Sequence, residues 1–172
     1  MTEAADERSW GRIALFTVPA IVLAGSATGW LSNSGYENGW FAGLYKPPFM
    51  PPGWTFGLVW PILYVLMGIS VAMILAEPPS DRRRFGLILF FIQLALNFAW
   101  SPVFFSAHDI TLAKYVIFAM AVLAAAAAGQ FFRLCKAAGL LLIPYLAWLI
   151  FAATLNASIE NLNPGAGTPL IG

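Results

Sequence analysis

The chain has 172 residues, 60% of them hydrophobic and only 10% charged, and its nine Lys and Arg against eight Asp and Glu leave a formal net charge of +1. Soluble domains average about 25% charged residues, and a chain this apolar has too little polar surface to cover a soluble core built from it. Near-neutrality gives no basic field for nucleic acid, so a nucleic-acid partner is not expected.

The charges fall in clusters, and between them lie five stretches without Asp, Glu, Lys or Arg: 13–36, 47–76, 85–107, 115–132 and 137–159. A helix rises about 1.5 Å per residue and the hydrocarbon core is roughly 30 Å thick, so about 20 apolar residues span it. The reading is an all-α membrane protein, a single five-transmembrane-helix bundle, with the lipid bilayer as its first partner. In chain order, a short polar N-terminal tail (1–9) leads into helices over 10–32, 53–76, 84–106, 110–132 and 137–160. These form one domain over 10–160, followed by a flexible C-terminal tail at 161–172. Arg8 and Arg12 ahead of the first apolar run, and small residues Ala24, Gly25 and Ser26 within it, also suit a signal peptide, but the run is long enough to span and its leader is acidic as well as basic, so a retained helix is expected.

The first connection, 32–52, is long, aromatic and proline-rich: Tyr36, Trp40, Phe41, Tyr45 and Phe49 stand with Lys46 and prolines 47, 48, 51 and 52. Prolines lack the N–H of a regular helix interior, and a loop this aromatic is expected to pack over the mouth of the bundle. Arg8, Arg12, Arg82, Arg83, Arg84, Arg133 and Lys136 fall on one side, Lys46 and Lys114 on the other. That asymmetry sets the N-terminus inside and the aromatic loop on the non-cytoplasmic side.

Chemistry-bearing residues are few. One Cys, Cys135, excludes an internal disulfide, and one His, His108, cannot by itself found a metal site, so no metal is expected. On the third helix Gln93, Asn97 and Ser101 recur every four residues, with Trp100 three after Asn97, which puts two amides, an indole and a hydroxyl on one face. At membrane depth that face must meet another helix or a cavity. Interhelical hydrogen bonding alone also accounts for such residues. The second helix carries Trp60 and Tyr64; the fifth carries Tyr145, Trp148, Ala152, Leu155 and Asn156 along one stripe. Flat rings with a few donors and acceptors suit a planar apolar ligand. Trp10, Trp30 and Trp40 read instead as anchors at the membrane interface. Gly25 with Gly29, and alanines 124–128, form small-residue faces for close helix approach, within the bundle or between partners.

Four motifs in order now carry a resemblance: Trp40, Phe41, Leu44, Lys46, Pro47, Pro51 and Pro52 in the first loop; Trp60, Leu63 and Tyr64; Gln93, Leu94, Leu96, Asn97, Trp100, Ser101, Pro102, Phe104 and Phe105; and Pro144, Tyr145, Leu146, Trp148, Phe151, Leu155 and Asn156. Over about residues 10–160 the chain resembles the TspO/MBR family, the tryptophan-rich sensory proteins and the peripheral-type benzodiazepine receptor or translocator protein. The resemblance implies a membrane receptor or transporter, commonly a homodimer, that binds porphyrins and related hydrophobic molecules. It implies a pocket of Trp60, Asn97, Trp100, Trp148, Ala152 and Leu155 under a lid that includes Lys46 and Pro51, to which the spacing adds Tyr64, Gln93 and Tyr145. It implies no resident cofactor, porphyrin being the ligand. It also leaves open degradation of porphyrin by light and oxygen, with Trp100 and Trp148 as the catalytic candidates, and a structural role in a membrane assembly. A bacterial inner membrane is the expected location, a mitochondrial outer membrane the alternative. Where the family's sterol-recognition stretch has an aromatic residue and an Arg after Leu-Asn, this chain has Ala157, Ser158, Ile159 and Glu160, and sterol recognition there is not expected. Phe49 stands where many members have Trp, keeping the ring and losing the indole donor.

Overall fold

The computed structural model describes residues 3–167, with side chains from Trp10 onward. Regular structure among them is entirely helical. Helix α1 is Glu3–Leu31, a short α2 is Gly39–Gly43, α3 is Gly53–Ala76, α4 is Asp81–Ser101 with a π-helical turn over Pro102–Ser106, α5 is Ile110–Leu134, α6 is Lys136–Leu141 and α7 is Ile143–Leu162. Five segments are long and apolar enough to cross a bilayer: Trp10–Leu31, Gly53–Ala76, Asp81–Ser106, Ile110–Leu134 and Lys136–Leu162. The protein is an all-α membrane protein, one bundle of five spans.

Two details differ from the sequence expectation. Helix α1 begins at Glu3, inside the stretch read as a polar tail, where Glu, Ala, Asp and Arg are acceptable helix formers and acids suit a helix N-terminus. The fifth span is two helices in tandem, α6 and α7, parted at Leu142 just before Pro144, whose ring and missing N–H do not fit a continuous helix interior.

The order of packing around the bundle is α1, α3, α6 with α7, α5, α4 and back to α1. Its connections are fixed by caps. Ser80 accepts from the Arg83 N–H to start α4, Asp109 accepts from the Leu112 N–H to start α5, and the Arg83 guanidinium donates to the Ile74 and Leu75 carbonyls that end α3. The arginine end of the bundle is solid, with Met67, Ile74, Phe90, Met120, Phe131 and Leu149 almost wholly buried. A smaller apolar cluster at the loop end joins Phe41, Leu44, Phe104, Phe105, Ile110, Leu155 and Ile159. Outward faces carry Leu15, Phe16, Leu23, Trp54, Phe118 and Ile150, each more than 60% exposed, a surface suited to acyl chains and not to water. The small-residue faces are used inside the bundle: Gly25 abuts the Tyr64 ring, and Ala124, Ala127 and Ala128 are buried.

Candidate functional site

Between the solid core and the loop-end cluster lies a cavity of about 560 Å³. Its walls include Trp60 and Tyr64 from α3, Asn97 and Trp100 from α4, and Trp148, Ala152, Leu155 and Asn156 from α7, so stripes predicted on three helices face one space. The Trp60 and Trp148 rings meet edge to face with centroids 6.3 Å apart, Trp60 leans on Tyr64 at 5.5 Å, and Phe56 closes on Trp148 at 5.7 Å. Trp100 stacks on Phe104 at 5.1 Å, and Phe104 in turn packs on Phe41 and Trp40 of the loop. The π turn brings Phe104 and Phe105 inward: one extra residue per turn lets the chain pass Pro102, and the Ala107 N–H bonds the Pro102 carbonyl at 2.9 Å.

One polar chain crosses the cavity floor. The Tyr64 hydroxyl donates to Asn97 Oδ1 at 3.0 Å, Asn97 Nδ2 donates to the Tyr145 hydroxyl at 3.0 Å, and that hydroxyl donates to Gln93 Oε1 at 2.8 Å. All four residues are buried. Gln93 and Tyr145, predicted with the ligand-facing set, do not line the cavity; they stand behind Asn97 and hold it. The reason is the helical offset: Gln93 lies one full turn nearer the arginine end, where the helices close together. A second group of polar atoms is unpaired. The indole Nε1 atoms of Trp100 and Trp148 and the Oδ1 of Asn156 are buried with no hydrogen-bond partner among the described residues, although Asn156 Nδ2 is tied to the Ile110 carbonyl at 3.0 Å.

The loop covers this space by folding onto the far end of the bundle. Asn38 caps α2 through the Phe41 N–H and donates to the Phe105 carbonyl. The Tyr45 N–H donates to Asn163 Oδ1 and Asn163 Nδ2 donates to the Tyr45 carbonyl, a pair of hydrogen bonds of 2.8 Å each. Trp40 stacks on His108 at 4.3 Å and donates to the Ala166 carbonyl at 3.1 Å, so it pins loop to tail and is not a lipid-interface anchor. The described part of the C-terminal tail, up to Gly167, is thus part of the clasp; residues 168–172 of the predicted flexible tail lie outside the described residues. Lys46 and Pro51 sit in the loop but do not line the cavity. Lys46 Nζ donates to the carbonyls of Phe41, Leu44 and Ala42, closing the end of α2, and desolvation there lowers its pKa below the usual 10.5. The Pro51 carbonyl accepts from the Tyr36 hydroxyl at 2.7 Å. Nearby, Lys114 and Thr111 of α5 donate to the Glu160 carboxylate of α7, which occupies the residue that departs from the family's sterol-recognition pattern.

Residues not assigned to the site from the sequence complete the walls: Gly25 and Gly29, read there only as a small-residue face, Ser26 beside them on α1, Phe41 and Met50 of the loop, and Ile117 and Met120 of α5. On α1 the signal was slight, since its wall is made by small residues and an absence of side chain carries no pattern. Asn156 was visible at the end of the α7 stripe but not chosen.

A five-span bundle enclosing an aromatic cavity beneath a clasped loop defines a class of integral membrane protein built around an internal apolar site. The TspO/MBR family pattern matches residues 17–162. Translocator protein from Sus scrofa is 40% identical over 155 residues, covering 86% of this chain and 92% of that protein. Protein CrtK from Rhodobacter capsulatus is 32% identical over 155 residues, with 89% and 95% covered, and tryptophan-rich protein TspO from Chlorobaculum tepidum is 38% identical over 133 residues, with 73% and 80% covered. The chain belongs to the TspO/MBR family. Its relatives carry the names of translocator and sensory proteins, which leans away from an enzyme.

Proposed function

We propose that this protein is a membrane receptor or transporter that binds a porphyrin, or another flat hydrophobic molecule, in the cavity among Trp60, Asn97, Trp100 and Trp148. The observation that carries the reading is the convergence of three indoles from three helices on one enclosed space. A cavity of about 560 Å³ falls within the roughly 300–1,000 Å³ of small-molecule sites. Ring faces supply stacking area, and the unpaired atoms supply a reason for a guest: a buried donor or acceptor left alone costs about 1–3 kcal/mol. A ligand with acceptors near Trp100 and Trp148 Nε1 and a donor near Asn156 Oδ1 would relieve that cost after small shifts of the wall. The ring edge of a porphyrin, with its carboxylates, and its central N–H groups offer both kinds. Homodimer formation and a bacterial inner membrane belong to the same reading, carried by the family likeness; gel filtration in detergent tests the first.

The test is titration of the purified protein with protoporphyrin, followed by tryptophan fluorescence. Trp60→Ala and Trp148→Ala should each weaken binding about tenfold or more, equivalent to about 1.4 kcal/mol. Wild-type affinity in both would remove the pocket from consideration. Illuminating the complex in air separates a binder, which returns its ligand unchanged, from a porphyrin-degrading enzyme, in which Trp100→Phe or Trp148→Phe should slow appearance of a new absorbing product.

A further inference from the structure

The clasped loop raises the question of how a guest reaches the cavity, and the seam between α1 and α3 answers it. At the arginine end the two helices are zipped. A Cβ on Gly68 would lie 2.7 Å from the Val18 Cα, and the Thr17 hydroxyl donates to the Gly68 carbonyl at 2.8 Å. One turn further toward the loop, Gly25 still touches the Tyr64 ring. Beyond that the helices part. A Cβ on Gly29 or on Gly57 would meet nothing within 4 Å, although both glycines line the cavity. Trp30, also on the cavity rim, is 81% exposed, and Ser26 is exposed as well. The seam closes again above: a Cβ on Gly53 would touch the Tyr36 ring, and the Tyr36 hydroxyl bridges to Pro51. The result is a framed window near the roofed end of the two apolar spans. The loop side differs in kind, because Asn38, Phe41 and Leu44 are all more than nine-tenths buried and the Tyr45–Asn163 and Trp40–Ala166 bonds hold them down. The window is not a seam of small residues alone, since it leads to a cavity with a buried, unpartnered acceptor, Asn156 Oδ1 at 2% residue exposure.

We propose that the ligand passes between bilayer and cavity sideways, through the α1/α3 window at Gly29 and Gly57, while the clasped loop stays shut. This rests on the reading of the cavity as a ligand site. It assigns the loop the role of a fixed roof, and it makes the membrane phase, not the aqueous one, the compartment from which the guest is taken. Apolar and half-buried molecules dissolved among the acyl chains are the class that such an opening admits.

The experiment mixes protein in lipid nanodiscs with vesicles loaded with protoporphyrin and follows tryptophan quenching in time, then release on dilution into empty vesicles. Gly29→Phe and Gly57→Phe are the variants meant to fill the window, and a Cβ at either position meets nothing within 4 Å. Both association and dissociation should slow about tenfold, which damage to the site would not produce, because a damaged site releases faster. Asn163→Ala and Trp40→Phe each loosen the roof by removing one clasp and should leave both rates as in the unmodified protein. Wild-type or faster release from the filled variants overturns the window, and so does faster uptake in the two loosened variants, which would make the loop the gate. No quenching by protoporphyrin in the unmodified protein would instead bring down the binding reading, and the window with it.

Discussion

Asn97 is held at both ends of its amide: Oδ1 accepts from Tyr64 and Nδ2 donates to Tyr145. In a low-dielectric interior a fully paired polar chain rigidifies its neighbours, whereas a broken one strands each former partner. Asn97→Leu should therefore lower stability by about 1–3 kcal/mol, read as a drop in the detergent melting temperature. The two glycines of α1 make the opposite pair. Gly25→Ala puts a methyl 2.3 Å from the Tyr64 ring and should destabilise by about 1–3 kcal/mol. Gly29→Ala meets open space and should be neutral or stabilising by up to about 1 kcal/mol, from helix propensity. The same melting experiment separates them, and equal losses at both would contradict the tight contact at Gly25.

At the scale of elements, α2 is too short to hold itself together, since five residues complete barely one turn. It persists because Asn38 closes its start, Lys46 closes its end, and Phe41 is buried beneath it. Asn38→Ala removes the cap and the bond to the Phe105 carbonyl together. Loss of a cap is worth about 1 kcal/mol, a factor of about five in the open population. Chymotrypsin can cut after Tyr45, an exposed ring of this loop, so cleavage there should accelerate by about that factor while the bundle remains intact. An unchanged rate would mean that the clasp at Asn163 holds the loop without α2. The break between α6 and α7 is a second local decision: it re-aims α7 after Leu142, so that Trp148, Ala152 and Leu155 share the cavity wall while Tyr145 turns to the amide of Asn97.

Across the whole molecule the two ends are unlike. Arg82, Arg83, Arg84, Arg133 and Lys136 lie at the solid end, and Lys46 and Lys114 at the roofed end. The positive-inside bias predicts that the roof faces away from the cytoplasm. In sealed vesicles of known sidedness, chymotrypsin should cut after the exposed Tyr45 only when the non-cytoplasmic face is outward; cutting there from the cytoplasmic face would invert the assignment. On that orientation the cavity would open toward the outer half of the bilayer, while Val18 packs tightly against Gly68 on the other side of it.

Much of this was legible in the order of residues. Charge-free runs fixed the number and the approximate limits of the spans, because bilayer thickness leaves a helix little choice of length and every backbone N–H and C=O must be paired within it. Three- and four-residue spacings put Asn97 with Trp100, and Trp60 with Tyr64, on single faces, because the helical period is a local property. Which of those faces meet was not local. Gln93 and Asn97 have the same spacing signature, yet one stands behind the cavity and the other lines it, since helix tilt and separation decide that. Lys46, expected in the lid, is in the covering loop, where its ammonium is bonded to carbonyls of that same loop. The α1/α3 window consists of missing side chains, and a gap exists only once two helices are placed beside each other. Periodicity along one chain determined the helices and their polar faces; the distances between helices, which are properties of pairs, decided where the space lies and how it opens.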